Sequence, residues 1–183
     1  LSGDFKKASN LVDGILRNVR RSSEHEQWPL FYLQKIEVLQ KRGNYACTSR
    51  IQRILTLDQK VVRRIAPKLH YFLGVAEYRR GRFDRALPSF TIAAGDIEAN
   101  CESKVPLTVF TYMAHIAIHR GEVKKAFYCS DEGEKLTIKR CFVYEYLKLE
   151  NARAAMLLDS GKHLEAKEIY TRLFNAAESF GDY

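Results

Sequence analysis

The sequence predicts an all-α fold, an α-solenoid of antiparallel helix pairs about four and a half units long. Three observations predict it. A glycine-led pattern recurs five times along the 183 residues, at intervals of 40, 38, 40 and 40. Between these glycines, apolar residues return every three or four positions, the spacing of one helix face. The apolar share of 46% is enough to bury a core.

The five segments are Gly3-Asp-Phe5-Lys-Lys-Ala8, Gly43-Asn-Tyr45-Ala-Cys-Thr48, Gly81-Arg-Phe83-Asp-Arg-Ala86, Gly121-Glu-Val123-Lys-Lys-Ala126 and Gly161-Lys-His163-Leu-Glu-Ala166. Each reads glycine, any, mostly large, any, any, small. A glycine takes the left-handed conformation that ends one helix and reverses the chain into the next, which a residue with a Cβ takes only at a cost. Each glycine therefore marks a helix–turn–helix. The first unit contributes only a second helix, over about Phe5 to Val19. The first helices of the later pairs carry Phe31, Leu33, Ile36 and Leu39; then Tyr71, Phe72, Leu73 and Tyr78; then Leu107, Phe110, Met113 and Ala117; then Tyr146, Leu149, Ala154 and Leu157. Second helices follow the turns, with Phe83, Ala86, Phe90 and Ala93 in the third unit and Leu164, Ala166, Ile169, Tyr170 and Leu173 in the fifth. The small residue at the sixth place lets two antiparallel helices approach closely.

Leu73, Gly74, Gly81, Phe83, Ala86, Phe90 and Ala93 of the third unit resemble the signature of the tetratricopeptide repeat, with Tyr78 one place beyond the usual tyrosine. Met113, Ala114, Gly121, Val123 and Ala126 keep that pattern in the fourth unit, and Ala154, Gly161, Ala166 and Tyr170 keep it in the fifth. Thr48 replaces the small alanine in the second. The resemblance makes residues 1–183 a single array. The family's unit is about 34 residues and this one about 40, so the surplus is expected between one pair and the next, in stretches such as 58–66 and 95–105. Ser103 is expected to cap a helix there, with Pro106 in its first turn. Longer units of this kind resemble the helical-repeat sensor domains of bacterial regulators.

The resemblance further implies a right-handed superhelix whose first helices line a concave groove. Carried over by register from each glycine, the groove positions are Leu33 and Glu37; Tyr71, Val75, Tyr78 and Arg79; Thr111, His115 and His119; and Asn151 and Ala155. In the members that grip a peptide's C-terminal carboxylate, a lysine and an asparagine stand one turn apart. Here those places read Leu33/Glu37, Tyr71/Val75, Thr111/His115 and Asn151/Ala155, so no carboxylate clamp is expected.

Several function classes lose their footing. No run approaches the roughly 18 apolar residues of a membrane span, and Cys141 to Leu158 is broken by Glu145, Lys148, Glu150, Asn151 and Arg153. Residues 1–10 lack the apolar core of a signal peptide, and the four cysteines, Cys47, Cys101, Cys129 and Cys141, form no CxxC pair. A cytoplasmic protein with reduced thiols is expected. His115 and His119 share a helix face at metal-pair spacing, but Ile116-Ala117-Ile118 between them holds no glutamate and no third ligand is evident. There is no nucleophile elbow and no phosphate loop. Neither an enzyme nor a cofactor is expected. Most acidic residues stand among basic ones at helical spacing, as in Glu122/Lys125 and Glu165/Lys167/Glu168, and read as solvated faces.

What remains is binding. The leading expectation is a scaffold or regulatory module that takes a protein or peptide partner in the groove. A close variant is an effector-sensing domain of a bacterial transcription or signalling regulator, in which the effector shifts the array between two shapes. The net charge of +8 points to a third class, because residues 50–85 hold ten Lys or Arg against three Asp or Glu. That segment is a weaker candidate for nucleic acid. The chain opens inside a unit and so reads as a piece of a longer protein, leaving an apolar terminal helix face through which copies could associate.

Overall fold

The computed structural model describes residues 28–41, 43–57, 60–100, 103, 105–140 and 143–180. The expected Gly3 turn and the helix that follows it lie outside them. Among the described residues every regular element is a helix: α1 (Trp28–Lys41), α2 (Thr48–Leu55), α3 (Lys60–Tyr78), α4 (Phe83–Ala99), α5 (Thr108–His119), α6 (Val123–Arg140), α7 (Val143–Asp159) and α8 (His163–Phe180).

Four chain reversals share one construction. Gly43, Gly81, Gly121 and Gly161 have φ of 74°, 72°, 71° and 76°, the left-handed region. Each glycine N–H donates to the carbonyl three residues back, and the next N–H donates to the carbonyl five residues back, all at 2.8–3.0 Å: Asn44 to Leu39, Arg82 to Glu77, Glu122 to Ala117 and Lys162 to Leu157. This Schellman closure satisfies carbonyls that the helix end would otherwise leave bare. After three of the glycines the next helix begins two residues later, which brings Ala86, Ala126 and Ala166 to the helix–helix contact at 0%, 1% and 0% exposure.

The Gly43 turn departs from this. Asn44 Oδ1 accepts the Ala46 N–H at 3.0 Å and holds the chain out of the helix, so α2 starts only at Thr48 and runs eight residues. Thr48 is thus the first residue of a short helix and not a small residue inside a long one.

The surplus length of the repeat is also placed differently from expectation. Residues 60–66 belong to α3, which extends to 19 residues, and residues 95–99 belong to α4. The extra residues lengthen helices because Val62, Ile65 and Leu69 continue the apolar face of α3 backward at helical spacing, all of them buried. Ser103 does not cap α5. Its hydroxyl donates to Asp96 Oδ2 at 2.5 Å and accepts the Val105 N–H at 3.3 Å, and α5 begins after Leu107 without a side-chain cap.

By packing, the chain divides after residue 105 into two compact halves. In the N-terminal half α3 packs on α1, α2 and α4. Its core gathers Ile36 from α1, Ile51 and Ile54 from α2, and Val62, Ile65, Leu69, Phe72 and Leu73 from α3. Buried Gln40 ties three segments together, its Nε2 donating to the Phe72 carbonyl at 2.6 Å and lying 3.8 Å from Cys47 Sγ. In the C-terminal half α5 packs on α6 and α7, and α7 on α6 and α8. Ala114, Ala117, Ala126, Cys129 and Met156 form one buried cluster, and Ala154, Leu157, Ala166 and Ile169 another. Leu164, expected on the apolar face of the last helix, is instead 80% exposed, because Ala166 and Ile169 set that face.

Candidate interaction surfaces

The positions assigned to the groove fall in both halves. In the N-terminal half Leu33 and Val75 are core residues at 8% and 6% exposure, which leaves Glu37, Tyr71, Tyr78 and Arg79. Glu37 on α1 pairs with Lys68 on α3 at 3.2 Å and with Lys41 one turn on at 3.4 Å. Burial pushes the Glu37 carboxyl up, but Lys68 and then Lys41 outweigh it and hold the group below its ordinary value. The Lys68 ammonium lies 5.8 Å from the centre of the Phe72 ring. Tyr71 is half-buried with its ring centre 5.4 Å from Phe72 and 6.5 Å from Phe90. Tyr78 closes α3 half-buried, 5.3 Å from the Phe83 ring that opens α4, and Arg79 follows it exposed in the turn.

In the C-terminal half Thr111 and His115 are half-buried on α5, His119 is exposed at its last residue, and Asn151 is exposed on α7 with Ala155 half-buried one turn on. The Thr111 hydroxyl oxygen is buried with no hydrogen-bond partner among the described residues. Among the described residues no group of three His, Cys, Asp or Glu is placed to hold a metal ion, and no described helix is long and apolar enough to cross a membrane. Cys47 and Cys129 are buried free thiols, and burial raises both above the usual thiol range.

Two acidic residues depart from the solvated-face reading. Glu77 on α3 is buried, with Arg82 and Arg80 at 3.6 and 3.9 Å. Glu150 on α7, its side chain 5% exposed, meets Arg172 of α8 at 3.2 Å and Arg153 at 3.9 Å. Arg153 in turn reaches Glu134 at 2.8 Å and Asp131 at 3.3 Å, both on α6. One charged cluster therefore clasps three helices. Burial raises the Glu150 carboxyl, and the neighbouring Glu134 adds to it. Arg153 and Arg172 oppose this without cancelling it. Glu150 is one of several polar residues in its stretch of sequence, and its partner Arg172 stands 22 residues on at no fixed spacing, so the pairing has no sequence signature.

The described residues thus form glycine-turned helix hairpins, with no strand among them, whose surface offers aromatic and charged side chains. Comparison with known proteins finds no matching family model, no matching curated protein and no matching solved structure.

Proposed function

We propose that this protein is a tetratricopeptide-like interaction module that takes a peptide or helix of a partner protein along its first helices, in a scaffold or regulatory role. The observation that carries the reading is the end of α3, where half-buried Tyr78 rests on Phe83 and exposed Arg79 follows it. An aromatic ring fixed by its neighbour loses little conformational freedom on binding, and an adjacent guanidinium supplies a directional polar contact. Aromatic and arginine anchors of this type dominate measured interfaces. The Schellman turns and the buried alanines at the sixth place support the helix-pair register from which the groove positions follow.

Recovery of partners from native extract by mass spectrometry tests this by comparison of variants. Proteins that accompany the wild type and the Arg63→Glu/Arg64→Glu variant, and that Tyr78→Ala loses, support the groove. Arg63 and Arg64 make a suitable control because both are exposed near the start of α3, fourteen or more residues before Tyr78. Partners retained by Tyr78→Ala and lost on the Arg63/Arg64 reversal place the contact elsewhere.

A further inference from the structure

We infer that the arginine ridge running from α2 to the Gly81 turn binds the phosphate backbone of a nucleic acid. The inference rests on α2 and its cations and does not depend on the groove. Arg50 and Arg53 lie exposed on α2 while Ile51 and Ile54 face the core. The two are three residues apart, a rise of about 4.5 Å along the helix, and α2 contains no acidic residue. The Gly81 turn reaches the start of this helix, because Arg80 Nη1 donates to Thr48 Oγ1 at 2.9 Å. Arg80 is thereby held beside Thr48, two residues before Arg50 on α2. Arg82 and Arg80 stand 3.6 and 3.9 Å from the buried Glu77 carboxylate. One buried carboxylate thus faces two guanidiniums, and Arg50, Arg53, Arg80 and Arg82 together outnumber it by three charges.

The character of the surface between the arginines decides what it fits. The exposed side chains interleaved on α2 are Ser49 and Gln52, both polar, and no large apolar side chain on α2 is exposed. A peptide partner derives most of its affinity from apolar and aromatic anchors seated in pockets. A phosphate backbone needs only cations and donors at intervals, and guanidinium forks match its oxygens in pairs. Replacing condensed counterions supplies the driving force, so affinity must fall steeply with salt.

The test is a fluorescence-anisotropy titration of labelled oligothymidylate at salt from about 50 to 200 mM. The wild type should bind with a log-linear loss of affinity. Arg50→Glu/Arg53→Glu should weaken binding at least about tenfold and flatten the salt slope by about 1.4, two contacts at roughly 0.7 each on a single strand. Lys124→Glu/Lys167→Glu makes the same charge change on exposed sites of the other half and should stay within about twofold. Arg50→Gln/Arg53→Gln, checked by circular dichroism, repeats the measurement should the reversed pair lose helix. Equal losses in both pairs would reduce the effect to net charge and overturn the assignment. So would undetectable binding at the lowest salt, or polyglutamate competing as well as unlabelled oligothymidylate.

Discussion

Gly74 of α3 lies against the ring of Phe90 of α4, so close that a Cβ built on Gly74 falls 2.6 Å from both Cδ1 and Cε1. Phe90 is fully buried, and the clash falls on its rigid ring. Gly74→Ala should therefore destabilise the N-terminal half by about 1–3 kcal/mol through overpacking, although alanine is the better helix former by about 1 kcal/mol. Gly95, on α4 itself, is the internal control: a Cβ there meets nothing within 4 Å. Gly95→Ala should stabilise by about 0.5–1 kcal/mol. Urea denaturation of both variants checks the pair, and equal effects would contradict the packing described.

Ala86 and Ala126 hold the sixth place in their repeats, at 0% and 1% exposure. Arginine at either site forces an unpaired charge into a contact with space for a methyl group, a cost of about 3–5 kcal/mol. Ala86→Arg and Ala126→Arg should each lower the melting temperature sharply and reduce helical ellipticity. Melting like the wild type in both would refute the register.

Acidity should act oppositely on two carboxylates. Glu150 has a raised pKa in the folded protein, so the native state binds its proton more tightly than the unfolded chain does. Stability tied to that proton is present at low pH and is lost as pH rises through the folded value. The stability difference between wild type and Glu150→Gln should accordingly move in favour of the wild type as pH falls from neutrality. Glu37 has a lowered pKa, so its contribution is present above the unfolded value of 4.5 and is lost as pH falls below it. Glu37→Gln should be less sensitive to acid over that range. Chemical denaturation across pH measures both, and slopes of the opposite sign would rule the assignments out.

The helix hairpins were legible because their cause is local. Only a glycine closes the Schellman turn cheaply, and only a small residue fits the sixth place, so both leave a fixed spacing in the sequence. Helix limits were less so. The start of α2 depends on one Asn44 side chain, and the lengthening of α3 depends on Val62 and Ile65 joining a core shared with α1 and α2. Gly133 has no sequence signature, although its missing Cβ makes room for Phe110 and Leu149, because a glycine inside a helix gives no sign of what crosses it. The surface positions were the least readable. Register separates surface from core only to within a neighbouring position, which is why Leu33 and Val75 are buried while Glu37 and Arg79 are not. The clasp around Glu150 joins three helices through Arg153 and Arg172 and has no local signature.

Under the proposed function, partner recognition runs through Tyr78 at the end of α3. Isothermal titration of a partner segment, recovered by co-purification, against wild type, Tyr78→Ala and Arg63→Glu/Arg64→Glu tests it most directly. Truncating an aromatic anchor typically costs about 2 kcal/mol or more, so Tyr78→Ala should weaken binding by well over tenfold. Stability should fall less than in Ala86→Arg, since Tyr78 is only half-buried. The Arg63/Arg64 variant should bind like the wild type. Binding that survives Tyr78→Ala and disappears on the Arg63/Arg64 reversal would contradict the account.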